Sequence, residues 1–190
     1  MSLSFVGISL FATKPTKKSR RKLIEMKTAA YWIKKLELEK HPEGGYFREI
    51  YLSDDVVPQT GLPANFRGER SFSTSIYYLL EGNDYSAFHR IKSDEIWHYY
   101  AGTSAIEILS LEKGNLKKYL VGNDPDRGQT FQVIVPKNTW FAAHLQNPDS
   151  YALAGCTVSP GFHFEDFELA DEKLIDEFPE MKDEIVPFLR

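Results

Sequence analysis

From Ser71 to Val158 the chain is a succession of short runs rich in aromatic and β-branched residues, each closed by a turn signal. The runs are Ser73–Leu80, Ser86–Ile91, Glu95–Ala101, Ala105–Leu111, Leu116–Val121, Gln132–Val135, Trp140–Leu145 and Tyr151–Val158. Between them fall Glu81-Gly82-Asn83-Asp84, Gly102, Lys113-Gly114-Asn115, Gly122 to Gly128, Pro136-Lys137-Asn138 and Asn147-Pro148-Asp149. No helical pattern intervenes. Eight strands at this spacing predict an all-β domain, either a sandwich or a barrel.

The flanks are different. Thr28 is placed to cap a helix carrying Tyr31, Trp32, Ile33, Leu36 and Leu38 around one face. His41-Pro42-Glu43-Gly44-Gly45 reads as a turn, because Pro presets φ and the paired glycines accept positive φ. A strand from Tyr46 to Leu52 follows, and then a long irregular loop over Ser53–Arg70 with Pro58, Gly61, Pro63 and Gly68. The segment Ala170–Arg190 regains helical character, with Leu174, Ile175 and Phe178 on one side and Pro179 breaking the run. The expected organisation is a basic extension over 1–27, one β domain over 28–172 and a helical tail over 173–190. A chain of 190 residues is long enough for one domain with a real core.

Charge and cysteine content narrow the function classes. A net charge of −4 and a pI near 5.8 give no global basic field, which argues against nucleic acid as a partner. Cys156 is the single cysteine, so no intramolecular disulfide forms, and no Cys/His group has zinc-finger spacing. A reducing compartment, the cytoplasm, fits this best. Residues 1–27 hold seven Lys/Arg against the single acid Glu25, a bias shared by organelle transit peptides and by dispensable upstream extensions. Met26 is then a candidate internal start beside Met1, and soluble dimeric protein is expected from it. The apolar run Phe5–Ala12 is too short to span a bilayer, and nothing else reaches that length, so no membrane partner is expected.

The densest chemistry lies between Ser86 and Gly102. A short polar turn between two strands would bring His89 near Glu95. Alternation puts Glu95, Trp97 and Tyr99 on one face and Ile96, His98 and Tyr100 on the other. An imidazole beside a carboxylate in a partly dry cavity has its pKa raised and its tautomer fixed, as a general base or acid requires. The same pair also suits half of a metal site, or a buried His with a structural hydrogen bond.

Several stretches resemble one family. They are His41-Pro42-Glu43-Gly44-Gly45-Tyr46-Phe47-Arg48-Glu49, Phe88-His89-Arg90, Ser93-Asp94-Glu95-Ile96-Trp97-His98, Gly155-Cys156-Thr157-Val158-Ser159-Pro160-Gly161-Phe162 and Phe164-Glu165-Asp166-Phe167-Glu168-Leu169-Ala170. Together they resemble the cupin-5 family, small cupins similar to the sugar-nucleotide epimerase that makes dTDP-rhamnose. Glu95 followed by Gly102 is similar to the end of the first cupin motif, with Pro136 and Trp140 where the second would fall. The resemblance implies a double-stranded β-helix, or jelly roll, that forms a homodimer and binds a small molecule at its wider end. It does not imply a reaction.

Within that resemblance, two of the four ligand positions of a metal-binding cupin are not histidine. The residue two after His89 is Ile91, and Phe141 stands where the second-motif His would. No metal or other cofactor is expected. Similarity to the epimerase implies a metal-independent isomerase with His89 as base and Glu95 as its orienting partner, acting on a sugar-like or carboxylated compound. Arg48 and Arg90 are candidate anion clamps. Tyr46, Tyr77, Tyr99 and Tyr151 are candidate acids, and Tyr46, Trp97 and Tyr99 are placed at the ligand. A non-catalytic metabolite-binding protein and a metal-dependent enzyme stand as the alternatives. Cys156 in an apolar strand reads as inert core. Trp32 and Trp140 read as packing, His41 as a turn residue, and His163 as part of a solvated edge. His144 falls on the opposite face from Phe141 unless a bulge intervenes.

Overall fold

A computed structural model describes residues 27–190. The basic extension, with its targeting reading and the internal start at Met26, lies outside the described residues except for Lys27. Thirteen strands run β1 Glu39–Lys40, β2 Tyr46–Leu52, β3 Val56–Val57, β4 Arg70–Ser71, β5 Thr74–Glu81, β6 Tyr85–Ile91, β7 Asp94–Gly102, β8 Ile106–Glu112, β9 Asn115–Val121, β10 Gln132–Val135, β11 Trp140–Leu145, β12 Tyr151–Ser159 and β13 Phe167–Leu169. The three helices are α1 Ala29–Leu36, α2 Lys173–Glu177 and α3 Lys182–Ile185. A six-stranded antiparallel sheet ordered β1-β2-β5-β12-β7-β10 faces a five-stranded one ordered β13-β6-β11-β8-β9. This is the expected all-β jelly roll.

Consecutive strands often belong to different sheets, and that changes one expectation. The short turn at Lys92-Ser93 does not make a hairpin, because β6 lies in the five-stranded sheet and β7 in the six-stranded one. It is a corner, held by the Ser93 hydroxyl donating to the Pro160 carbonyl at 2.8 Å. A tight two-residue hairpin is instead β8–β9, where Glu112 pairs with Asn115 around Lys113 and Gly114. Both loop residues have positive φ, as a two-residue hairpin turn requires.

The interior follows from alternation. Tyr78 and Leu80 of β5, Trp97 of β7, Phe141 and Ala143 of β11, and Ala152, Ala154 and Cys156 of β12 point inward into one packed cluster between the sheets. On the outer face of the six-stranded sheet, α1 covers Leu79 and Leu153 with Trp32, Ile33 and Leu36. Its ends obey the capping rules: the Thr28 hydroxyl accepts from the Tyr31 amide at 3.2 Å, and Glu37 turns left-handed as the Leu38 amide closes on Ile33. Residues 173–189 cover the outer face of the five-stranded sheet, where Leu174 and Ile185 pack on Phe88, Leu109, Leu111 and Trp140.

The segment expected to be one irregular loop carries more order than its sequence suggests. β3 pairs with β4, a short turn of helix spans Gln59–Gly61, and Phe66 and Arg70 are buried. Arg70, 4% exposed, forms a bidentate pair with Asp166 at 2.6 and 2.8 Å. That pair ties the loop to the strand edge at β13. Among the described residues no helix is long and apolar enough to cross a membrane.

Candidate functional site

One end of the barrel is not filled. A cavity of about 90 Å³ opens there, lined by His41 and Glu43 of the Pro-Gly turn, Phe47 and Glu49 of β2, and Thr74 and Ile76 of β5. His89 and Ile91 of β6, Glu95 of β7, Cys156 and Val158 of β12, and Phe162, Phe164 and Phe167 complete it.

The turn at residues 41–45 delivers Glu43 into this space, and three contacts fix it. The Tyr78 hydroxyl donates to the Gly44 carbonyl at 2.7 Å, the Ala87 amide donates to the Glu43 carbonyl at 2.9 Å, and the Gly45 amide donates to Asp84 at 3.1 Å. Gly44 and Gly45 have φ of 116° and 70°, and a Cβ on Gly45 would lie 2.9 Å from the Leu79 carbonyl. Only glycine fits both the conformation and the space. Asp84 also accepts from Lys40 and Arg190, at 3.0 and 2.9 Å. Burial opposes its ionisation, but the Lys40 ammonium and the Tyr85 and Gly45 amides hold its carboxyl below the usual range.

His89 is buried with both ring nitrogens engaged. Its Nδ1–H donates to the Ala87 carbonyl at 2.8 Å, and Nε2 lies 3.2 Å from a Glu43 oxygen. The other Glu43 oxygen accepts from the Ser86 hydroxyl at 3.0 Å. Phe141 packs against the imidazole at a centroid distance of 4.1 Å. His41 Nδ1 accepts from the Glu43 amide at 3.3 Å, and burial lowers its pKa, so it is neutral at physiological pH.

Glu95 is only 8% exposed, between its β10 and β12 neighbours Val135 and Val158. Burial, together with the Glu43 charge, pushes its carboxyl up to about 8, and a hydrogen bond with the Cys156 thiol only partly offsets this. It is therefore a protonated acid at neutral pH. Burial likewise pushes the Cys156 thiol well up, with the Glu95 charge adding to it. Cys156 thus reaches the cavity wall yet remains an un-ionised thiol.

A protein-family model described as "Cupin superfamily (DUF985)" matches residues 30–170. The chain belongs to this family. It is 33% identical over 139 residues to the uncharacterised protein YML079W of Saccharomyces cerevisiae, covering 68% of this chain and 69% of that one. Among solved structures, a hypothetical protein from Leishmania major superposes with a TM-score of 0.77 at 31% identity, covering 86% of this cupin and 99% of its own chain. Protein SO0799 from Shewanella oneidensis gives 0.76 at 35% identity, covering 87% and 99%.

For this cupin the metal chemistry of the wider superfamily does not fit. Ile91 and the Phe141 ring occupy two of the positions where histidine ligands would stand, leaving His89 and Glu95 as the matching donors. Among the described residues no three His, Cys, Asp or Glu side chains converge as a metal site.

The structure brings His89 and Glu95 to one cavity, but it pairs His89 with Glu43. The other candidates are elsewhere. Arg48 points outward on β2, bonded to Glu37 at 2.6 Å and to the Leu36 carbonyl, because its neighbours Phe47 and Glu49 take the inner face. Arg90 is on the outer face of β6, paired with Glu168 at 2.8 Å and stacked on Trp140. Tyr46 lies outside under the Lys40 ammonium. Trp97 and Tyr99 do share the inner face with Glu95 but lie deeper, Trp97 in the core and Tyr99 donating to the Ser104 carbonyl at 3.2 Å. Tyr77 and Tyr151 pack with α1 on the outer side. His144 faces outward onto Phe188 despite a register shift between Phe141 and Ala143. Sequence reasoning missed Glu43. Its signal was an acid inside a glycine turn that leads straight into an inward-facing strand.

Proposed function

We propose that the cavity is a small-molecule site for metal-independent proton transfer of the isomerase or epimerase type. Cupin folds commonly bind small molecules. The observation that carries the reading is a pair of carboxyls in one cavity with unlike surroundings. Glu43 is tied to His89 and Ser86, whereas Glu95 is buried and protonated. Because both His89 nitrogens are engaged, the base role moves from His89 to Glu43. Glu43 would take the proton α to a carbonyl while Glu95 gives its proton to the carbonyl oxygen, forming an enol. Water then gives a proton to the opposite face of that carbon, inverting it, as Glu95 recovers its own from the enol oxygen and Glu43 releases the abstracted proton to solvent. His89 acts as a positioning residue for the Glu43 charge. A carboxylated ligand is disfavoured, since among the described residues no Lys or Arg lines the cavity.

The reading is tested by incubating the protein in D₂O with small α-hydroxy ketones and following loss of the α-proton signal by NMR. Exchange above the buffer rate is expected, falling at least ~100-fold in Glu43→Gln, the range for loss of a general base. Binding without exchange would instead support a non-catalytic binding protein, a reading favoured by the doubly occupied His89. The homodimer is part of the same proposal. Its surface is the outer face of the six-stranded sheet, where Ile50, Tyr100 and Ile134 are exposed. Light scattering that reports a monomer would remove it.

A further inference from the structure

The cavity wall has a property that proton transfer does not require. Glu43, Glu49 and Glu95 line it, and among the described residues no Lys or Arg does. The basic side chains beside its phenyl rings are already engaged, since Arg70 and Lys92 both bind Asp166, at 2.6 and 2.9 Å. Glu95 accepts no hydrogen bond from nitrogen or oxygen among the described residues and is nine-tenths buried facing the cavity. Its partner there is the Cys156 thiol, a weak one, so the carboxyl keeps capacity for a ligand atom.

The rest of the wall is aromatic. Phe162, Phe164 and Phe167 lie with centroids 5.1, 6.3 and 6.4 Å apart and ring planes at 80°, 68° and 74° to one another. Rings so inclined present π faces in several directions around a corner, the arrangement by which aromatic cages hold alkylammonium groups. Phe164 is largely exposed, so the corner is at the mouth. A neutral polyol could use Glu95 and lay its C–H groups on the rings, but would leave the Glu49 charge without a partner. An anion would meet the carboxyls of Glu43 and Glu49, with no Lys or Arg of the described residues in the wall to balance them.

We infer that the ligand of this site is a small organic cation, an alkylammonium compound whose nitrogen sits between the phenyl corner and the carboxyls of Glu43 and Glu49. The inference rests on the cavity being the small-molecule site proposed above. It assigns Phe167 and Glu49 as specificity-determining residues, with Glu49 at the rim acting by charge alone.

The test is an NMR titration of the full chain with four probes. They are choline, its neutral analogue in which carbon replaces the nitrogen, glycerol, and acetate. Choline is expected to saturate shifts at the cavity residues and to bind about tenfold more tightly than the neutral analogue, the upper range of a desolvated cation–π contact. Glu49→Gln, an exposed change that leaves the fold intact, should weaken choline several-fold and leave the neutral analogue unchanged. Phe167→Leu should weaken choline more than the analogue. Equal binding of choline and its analogue, or preference for acetate, overturns the inference. Binding of glycerol without choline overturns it too, while leaving the small-molecule reading in place. Silence of the cavity residues with all four probes overturns both.

Discussion

Along β7 the inward side chains run Glu95, Trp97 and Tyr99, so one strand passes from a carboxyl facing open space to an indole in the packed core. β5 does the same with Thr74, Ile76, Tyr78 and Leu80, and β12 with Val158, Cys156, Ala154 and Ala152. Inward and outward side chains alternate along these strands at both ends of the barrel. At the closed end, large apolar groups such as Trp97, Phe141 and Ile108 fill the space, and small alanines on β12 make room for them. At the open end, a turn from outside the sheets brings in Glu43, and the acids are left facing one another. A jelly roll acquires a site where its inward residues stop filling the interior.

Substitutions can break or sharpen that contrast. Trp97→Ala should cost the most, about 3–5 kcal/mol of stability by chemical denaturation, because no neighbour can collapse into the space. Trp97→Phe should cost much less, since the indole N–H has no hydrogen-bond partner to lose. At the open end the effect should reverse. Glu95 holds its proton to about pH 8 when folded but ionises near 4.5 when unfolded. Between those values the unfolded chain binds fewer protons, so the stability from this group is full at acid pH and is lost as pH rises through the window. Urea midpoints taken from pH 5 to 8 should fall in the parent, and Glu95→Gln should flatten that slope, by on the order of a few kcal/mol across the window. A parent slope unchanged by the substitution would sink this account. Arg48→Ala marks the floor of the scale. Its pair with Glu37 is 46% and 74% exposed, and loss should stay within about 0.5 kcal/mol, with cavity binding untouched.

Much of the fold was legible because it is written locally. β-Branched and aromatic runs bounded by Gly, Pro and Asn placed the eight strands from β5 to β12 to within a few residues, and Thr28 marked the helix start. That Glu95, Trp97 and Tyr99 share one face followed from period two alone. What could not be read was partnership across the chain. Glu43 meets His89 only because the turn at 41–45 folds against β6, a contact between sheets that no spacing rule reports. The two arginines failed as ligands for a simpler reason. Each is flanked on its strand by residues that line the cavity, so alternation turned it outward. The hairpin expected between β6 and β7 failed because a turn fixes the reversal of a chain but not which sheet receives the next strand.

The buried pair between Arg70 and Asp166 reaches further than its place in the loop suggests. Asp166 sits between Phe164 and Phe167 in the chain, so the anchor that fixes the loop also sets how far apart those two rings stand. The aperture of the barrel is thereby governed by charges that dissolved salt screens only weakly, while its outer rim answers to ionic strength like any surface.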